Sequence, residues 1–158
     1  MKHYLFVCLA TALAIVTTTS CKKKKEGCTD PVSVNYDSAA EVYDGSCQYG
    51  GLGGNVTIKA KPQHHGAAII SGSQGHPDSV FIKFNAIESP GTSPAAYNLQ
   101  REGIDGDDGV RIAGLKPGKY FIYMTGYDST SNEFVKGGIP YVITATEGSI
   151  DVIIPVKE

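Results

Sequence analysis

The chain has 158 residues, with 14 Lys and Arg against 16 Asp and Glu and a formal net charge of -2. That balance argues against nucleic acid as a partner, because phosphate recognition calls for a basic surface. Once an N-terminal export segment is set aside, the length leaves room for about one ordinary domain plus extras.

Residues 1–20 read as an export signal. Met1, Lys2 and His3 make a short basic start, residues 4–16 are mostly apolar, and Thr17, Thr18, Thr19 and Ser20 put small residues before Cys21. The apolar run is shorter than the roughly 20 residues a membrane helix needs, and no other stretch comes closer. The pattern resembles a bacterial lipoprotein signal, in which the cysteine after the small residues is acylated and becomes the new N-terminus; Thr18 stands where Leu is usual. The resemblance implies lipidation at Cys21, membrane lipid as a partner, and a place in the cell envelope at the outer membrane, on a leaflet left open. The alternative is an ordinary signal cut near Ser20, leaving Cys21 a free thiol. With Cys8 removed and Cys21 lipidated, Cys28 and Cys47 remain as a pair in an oxidising compartment. Loss of Lys2 with the signal takes the charge to -3.

Residues 21–26 are the lipidated basic tether, in which Lys22, Lys23, Lys24 and Lys25 stand directly behind the attachment point. Each lysine near an anionic lipid surface adds about 1 kcal/mol of attraction; a merely solvated basic linker is the other reading. Residues 27–49, "GCTDPVSVNYDSAAEVYDGSCQY", carry turn chemistry at Asp30, Pro31, Asn35, Asp44 and Gly45 and little aliphatic material. So small a piece cannot bury its own core, so a Cys28 to Cys47 bridge must hold it. The segment is similar to a short module of bacterial envelope and secreted proteins, G-C-T-D-P followed by D-G-S-C, with Ser33 and Tyr43 departing from the usual residues. The resemblance marks a module and implies no activity. Asp30, Asn35, Asp37 and Asp44 are oxygen donors of the calcium type, but their spacing lacks calcium-loop regularity. Turn capping is the preferred reading.

Residues 50–54, Gly-Gly-Leu-Gly-Gly, read by composition as a flexible hinge. Beyond it, residues 55–158 alternate apolar and polar positions around Val56, Ile58 and Ala60, then Val80, Ile82 and Phe84, Val110 and Ile112, Tyr120, Ile122 and Met124, Tyr141 and Ile143, and Ile150, Val152, Ile154 and Val156. The expected fold is all-β: a single antiparallel, immunoglobulin-like β-sandwich of about seven strands, preceded by the small disulfide-held module. Gly114, Leu115, Pro117, Gly118 and Tyr120 form a turn between two strands. That motif resembles the carboxypeptidase regulatory-like, or transthyretin-like, domain. The likeness implies a rigid accessory or binding module without catalysis.

Three histidines remain after export, His64, His65 and His76. Imidazole suits zinc or copper, and Glu88, Asp78 or Asp128 could complete a site. Neighbours on a strand point to opposite faces, so His64 and His65 share an ion only if the chain turns, which Gly66 permits. A strand end, with one histidine packed and one exposed, is the preferred reading. No G-x-S-x-G elbow or phosphate loop is present, and Asp107 with Asp108 reads as a turn. The transthyretin-like hydrolases end in a Tyr-Arg-Gly-Ser signature that this sequence lacks. No enzyme and no obligatory cofactor are therefore expected. Phe121, Tyr123 and Tyr127 are candidate ligand-facing aromatics, unless residues 89–99 cover them. The leading functional expectation is a lipid-anchored, non-enzymatic binding or structural module for an envelope protein or glycan. The rival is a metal-binding envelope protein using His64, His65 and His76.

Overall fold

The computed structural model describes residues 22–158; the export signal and the lipidation expected at Cys21 lie outside the described residues. Ten strands follow in chain order: β1 (Glu26–Gly27), β2 (Val42–Tyr43), β3 (Leu52–His64), β4 (Ala67–Ala68), β5 (Ser79–Phe84), β6 (Leu99–Glu102), β7 (Val110–Leu115), β8 (Gly118–Asp128), β9 (Glu133–Ile143) and β10 (Glu147–Pro155). The first two belong to the small module. The others form two four-stranded sheets, one ordered β6-β5-β8-β9 and the other built on β3.

The second sheet shows why β3 is long. β10 runs along one of its edges, pairing residues 55–63 with residues 147–155, while β7 and then β4 take the other edge in succession. Period-2 patterning fixes which face each residue serves, so Val56, Ile58 and Ala60 of β3 meet Ile122 and Met124 of β8 across the interior. Val80, Ile82, Val110, Ile112, Val135, Ile143, Val152 and Ile154 complete one contiguous apolar layer. Each such side chain, fully buried, contributes roughly 1.5 to 3 kcal/mol of transfer free energy. An all-β sandwich with seven strands of four or more residues is what the alternation predicts. Its pairing is antiparallel except that β10 lies parallel to β3.

The small module has little interior beyond Cys28 and Ser33, and the Cys28–Cys47 disulfide closes it, with Cα atoms 4.8 Å apart. Its acidic residues hold turns. Asp30 accepts the Val32 N–H and the Tyr49 hydroxyl, Asp37 accepts the Ala39 N–H, and Asp44 accepts the Ser46 N–H. Asn35 bridges to Ser46 and Gln48. Lys25 of the basic run is tied to Asp37 at 2.6 Å.

Residues 50–54, expected as a flexible hinge, are packed instead. Leu52 already belongs to β3, and the Gly51 N–H donates to the buried Tyr120 hydroxyl at 2.8 Å. A Cβ on Gly50 would lie 2.7 Å from the Tyr120 ring, and one on Gly54 would collide with the backbone of Leu115. These glycines permit close approach of chain to chain, a use that composition alone does not separate from flexibility. Lys119 also donates to the Pro31 carbonyl. The module is therefore docked on the sandwich rather than swung from it.

Candidate functional site

Two clusters lie at the end of the sandwich where β3 and β8 finish. Both use adjacent residues of β8, Tyr127 and Asp128, whose side chains leave on opposite faces of the strand.

The first is an imidazole corner. His65 and Gly66 have φ of 50° and 82°, the two positive values that a two-residue hairpin turn between β3 and β4 requires. The turn brings the His64 and His65 rings to 4.0 Å between centroids. His64 is 2% exposed, and its Nδ1 lies 2.9 Å from Asp128 Oδ2. That contact holds the Asp128 carboxyl down at about 2, with the Thr130 N–H as a further cause. A neutral His64 that donates from Nδ1 to Asp128 would present Nε2 as its lone-pair atom. Nε2 is buried and has no hydrogen-bond partner. Glu158 approaches it, with Oε1 at 3.7 Å, because the chain after β10 is pinned by Val156 N–H to Gln63 and by a paired bridge between Lys157 and Lys136. His64, His65 and Glu158 thus bring one donor atom each within 4.8 Å of one another.

His76 does not join this group. Its ring lies 4.7 Å from Tyr127 and 4.9 Å from Phe134, on the other face of β8. The three-histidine expectation fails there because β4 carries the chain away before His76, and Glu158 occupies the third place. Glu88 and Asp78 also lie outside the group, and Asp128 stands behind His64.

The second cluster is a hollow of about 290 Å3 lined by His76, Pro77, Thr125, Phe134 and Lys136, with Gly126 and Val135 at its base. Tyr127 packs behind it, its ring 4.7 Å from His76 and 5.0 Å from Phe134 and its hydroxyl donating to Asn132 at 2.6 Å. Phe134, 65% exposed, stands at the rim, and Lys136 is an exposed cation beside it.

The other candidate aromatics are covered by protein. Phe121 and Tyr123 are each 7% exposed and pack with Phe81 under Ala86 and Tyr97. Tyr97 stacks on Tyr123 at 5.7 Å and anchors its own loop by donating to the Gly91 carbonyl. Covering this face keeps a large apolar patch out of water, the physical reason that segment 89–99 folds over it.

No family model matches the sequence, and no curated protein matches it. One solved structure is similar, described as a crystal structure of a DUF4876 family protein from Bacteroides thetaiotaomicron VPI-5482. It is 16% identical, with a TM-score of 0.36, over 65% of this chain and 24% of that one. A likeness of that depth carries no argument about this chain.

Sequence reasoning missed Glu158, Phe134 and Lys136. Phe134 and Lys136 straddle buried Val135 in period-2 order, which is a strand signal. Gly137, Gly138 and Pro140 hid it, since all three read as strand breakers. Pro140 is accommodated because β9 ends its sheet, where proline is tolerated, and the two glycines make room for the Pro155 backbone and the Phe121 ring.

Proposed function

We propose that the chain is an exported, lipid-anchored, non-catalytic binding module of the bacterial envelope, with a carboxypeptidase regulatory-like sandwich, and that its ligand is a glycan. The observation that carries this reading is Phe134, an aromatic ring left 65% exposed at the rim of the His76 hollow while the neighbouring aromatics on the same sheet are covered. A sugar ring presents apolar C–H faces and a rim of hydroxyls. Stacking on Phe134 would serve the faces, and Thr125, His76 and Lys136 offer polar atoms to the rim. The hollow is at the small end of ligand sites, which run from about 300 to 1,000 Å3, and so suits a single ring.

The non-catalytic part rests on geometry at the imidazole corner. A histidine base needs a hydroxyl or thiol within hydrogen-bond reach to activate it as a nucleophile. His64 Nε2 has no such partner among the described residues.

The test is equilibrium binding of the full chain, in detergent, to a panel of envelope glycans. Phe134→Ala should weaken the best binder by about tenfold or more, equivalent to about 1.4 kcal/mol. An envelope protein captured in its place, with Phe134→Ala without effect on glycans, would refute the glycan reading.

A further inference from the structure

The imidazole corner holds four groups whose arrangement the fold alone does not require. His64 is buried, yet its Nε2 is left without a hydrogen-bond partner. A buried polar atom in that condition costs roughly 1 to 3 kcal/mol. The atoms around it are donors of lone pairs: a second imidazole from His65, tilted 44° and 4.0 Å away, and the Glu158 carboxylate at 3.7 Å. With Asp128 hydrogen-bonded at Nδ1, two carboxylates face two imidazoles. A hydrogen bond from one imidazolium to Glu158 would satisfy one pair and leave the His65 ring unused; an ion at the centre satisfies all three donors.

We propose that His64, His65 and Glu158 bind one divalent first-row transition ion of the zinc type, with Asp128 as the outer carboxylate that orients His64. The donor set of two imidazoles and one carboxylate suits such an ion and not magnesium or calcium, which take oxygen donors. The carboxylate–histidine–metal relay is the usual way a ligating imidazole is held, because the second nitrogen must be fixed by an acceptor. Donors around a four-coordinate zinc, bonded at roughly 2.0 to 2.2 Å, sit roughly 3.3 to 3.6 Å apart. From the 4.8 Å limit on the present separations the donors would close by at most about 1.2 to 1.5 Å, a movement available to His65 and Glu158 because both are exposed. His64 stays fixed by burial and by Asp128. Three protein donors leave a fourth position for water or for a group from outside. The site draws on the β3–β4 turn, the end of β8 and the segment after β10, so an ion there ties both sheets together.

The experiment is titration of the tag-free full chain in detergent, stripped with a chelator, with Zn2+, and separately with Ca2+ and Mg2+. The expected result is one Zn2+ per chain and no Ca2+ or Mg2+ at the same concentrations. His65→Asn keeps a residue that tolerates the positive φ, and Glu158→Gln is an exposed change, so both should fold with unchanged circular dichroism. Each should weaken Zn2+ by tenfold or more. Asp128→Asn should weaken it by about 10- to 100-fold, the range for lost outer carboxylates. With Co2+ the protein should show the intense visible absorption of a four-coordinate ion, reduced in both folded variants. Absence of stoichiometric Zn2+ binding, equal affinity in His65→Asn and Glu158→Gln, or Ca2+ binding as tight as Zn2+ would each overturn the proposal.

Discussion

The Tyr120 hydroxyl accepts the Gly51 N–H at 2.8 Å and donates to the Lys116 carbonyl at 2.6 Å, although Gly51 and Tyr120 are 69 residues apart. One phenol thereby joins the exit of the small module to the turn before β8. Tyr120→Phe removes the partner of both backbone groups, leaves the buried Gly51 N–H unsatisfied, and should cost about 1 to 3 kcal/mol in chemical denaturation. The same variant should speed proteolytic cleavage within residues 50–54, where cleavage of the intact protein should be slow. Rapid cleavage of the intact protein there would mean that the glycines act as a hinge after all.

The disulfide should matter to the module and not to the sandwich. Closing a loop of this separation contributes about 3 kcal/mol on the chain-entropy model. The module has almost no interior to replace it. Replacing Cys28 and Cys47 together by Ser should abolish amide protection in residues 27–49 while leaving it in β3, β5 and β8. Loss of protection throughout would show that the two parts fold as one unit.

Asp78 should make the stability of the protein depend on pH. It is fully buried, neither carboxylate oxygen has a partner, and burial pushes its pKa up from 3.8 to about 6. Between those values the folded state holds a proton that the unfolded chain has released. Stability from this group is thus fully present below about 3.8 and lost as pH rises through about 6. The displacement corresponds to on the order of 3 kcal/mol. Asp78→Asn should raise stability at pH 7 and flatten the curve between pH 4 and 6, both measurable by denaturant titration. An unchanged slope would contradict the assignment.

Tyr97 should be what keeps the outer aromatics dry. Tyr97→Ala uncovers Tyr123 and Phe81 and should cost about 1 to 3 kcal/mol, because the side chain is half-buried and stacked. Binding of a hydrophobic dye should rise with it. If the dye signal is unchanged, the cover is supplied elsewhere in the loop.

Much of the sandwich could be read from alternation. Val56, Ile58 and Ala60, or Tyr120, Ile122 and Met124, declare their inward face in the sequence, because side chains on a strand alternate strictly. Which strand lies beside which is not declared: nothing local tells β10 to lie parallel to β3, since pairing depends on contacts far apart in the chain. Glycines were misread for a related reason. Gly50 and Gly54 are there to let Tyr120 and Leu115 approach, and the approaching residues lie far along the chain. At the candidate sites, His64 and His65 were visible as a pair and Gly66 as the turn that lets them meet. Glu158 was invisible as their partner because only the Lys157–Lys136 bridge and the Val156–Gln63 bond bring it there.

The most direct test of a ligand at the His76 hollow is nuclear magnetic resonance of the 15N-labelled protein titrated with the best-binding glycan. Amide shifts should concentrate at Thr125, Gly126, Phe134 and Lys136, which line the hollow, and spare Phe121 and Tyr123 beneath Tyr97. Shifts confined to the outer face of β3 and β10, or none at saturating glycan, would contradict it.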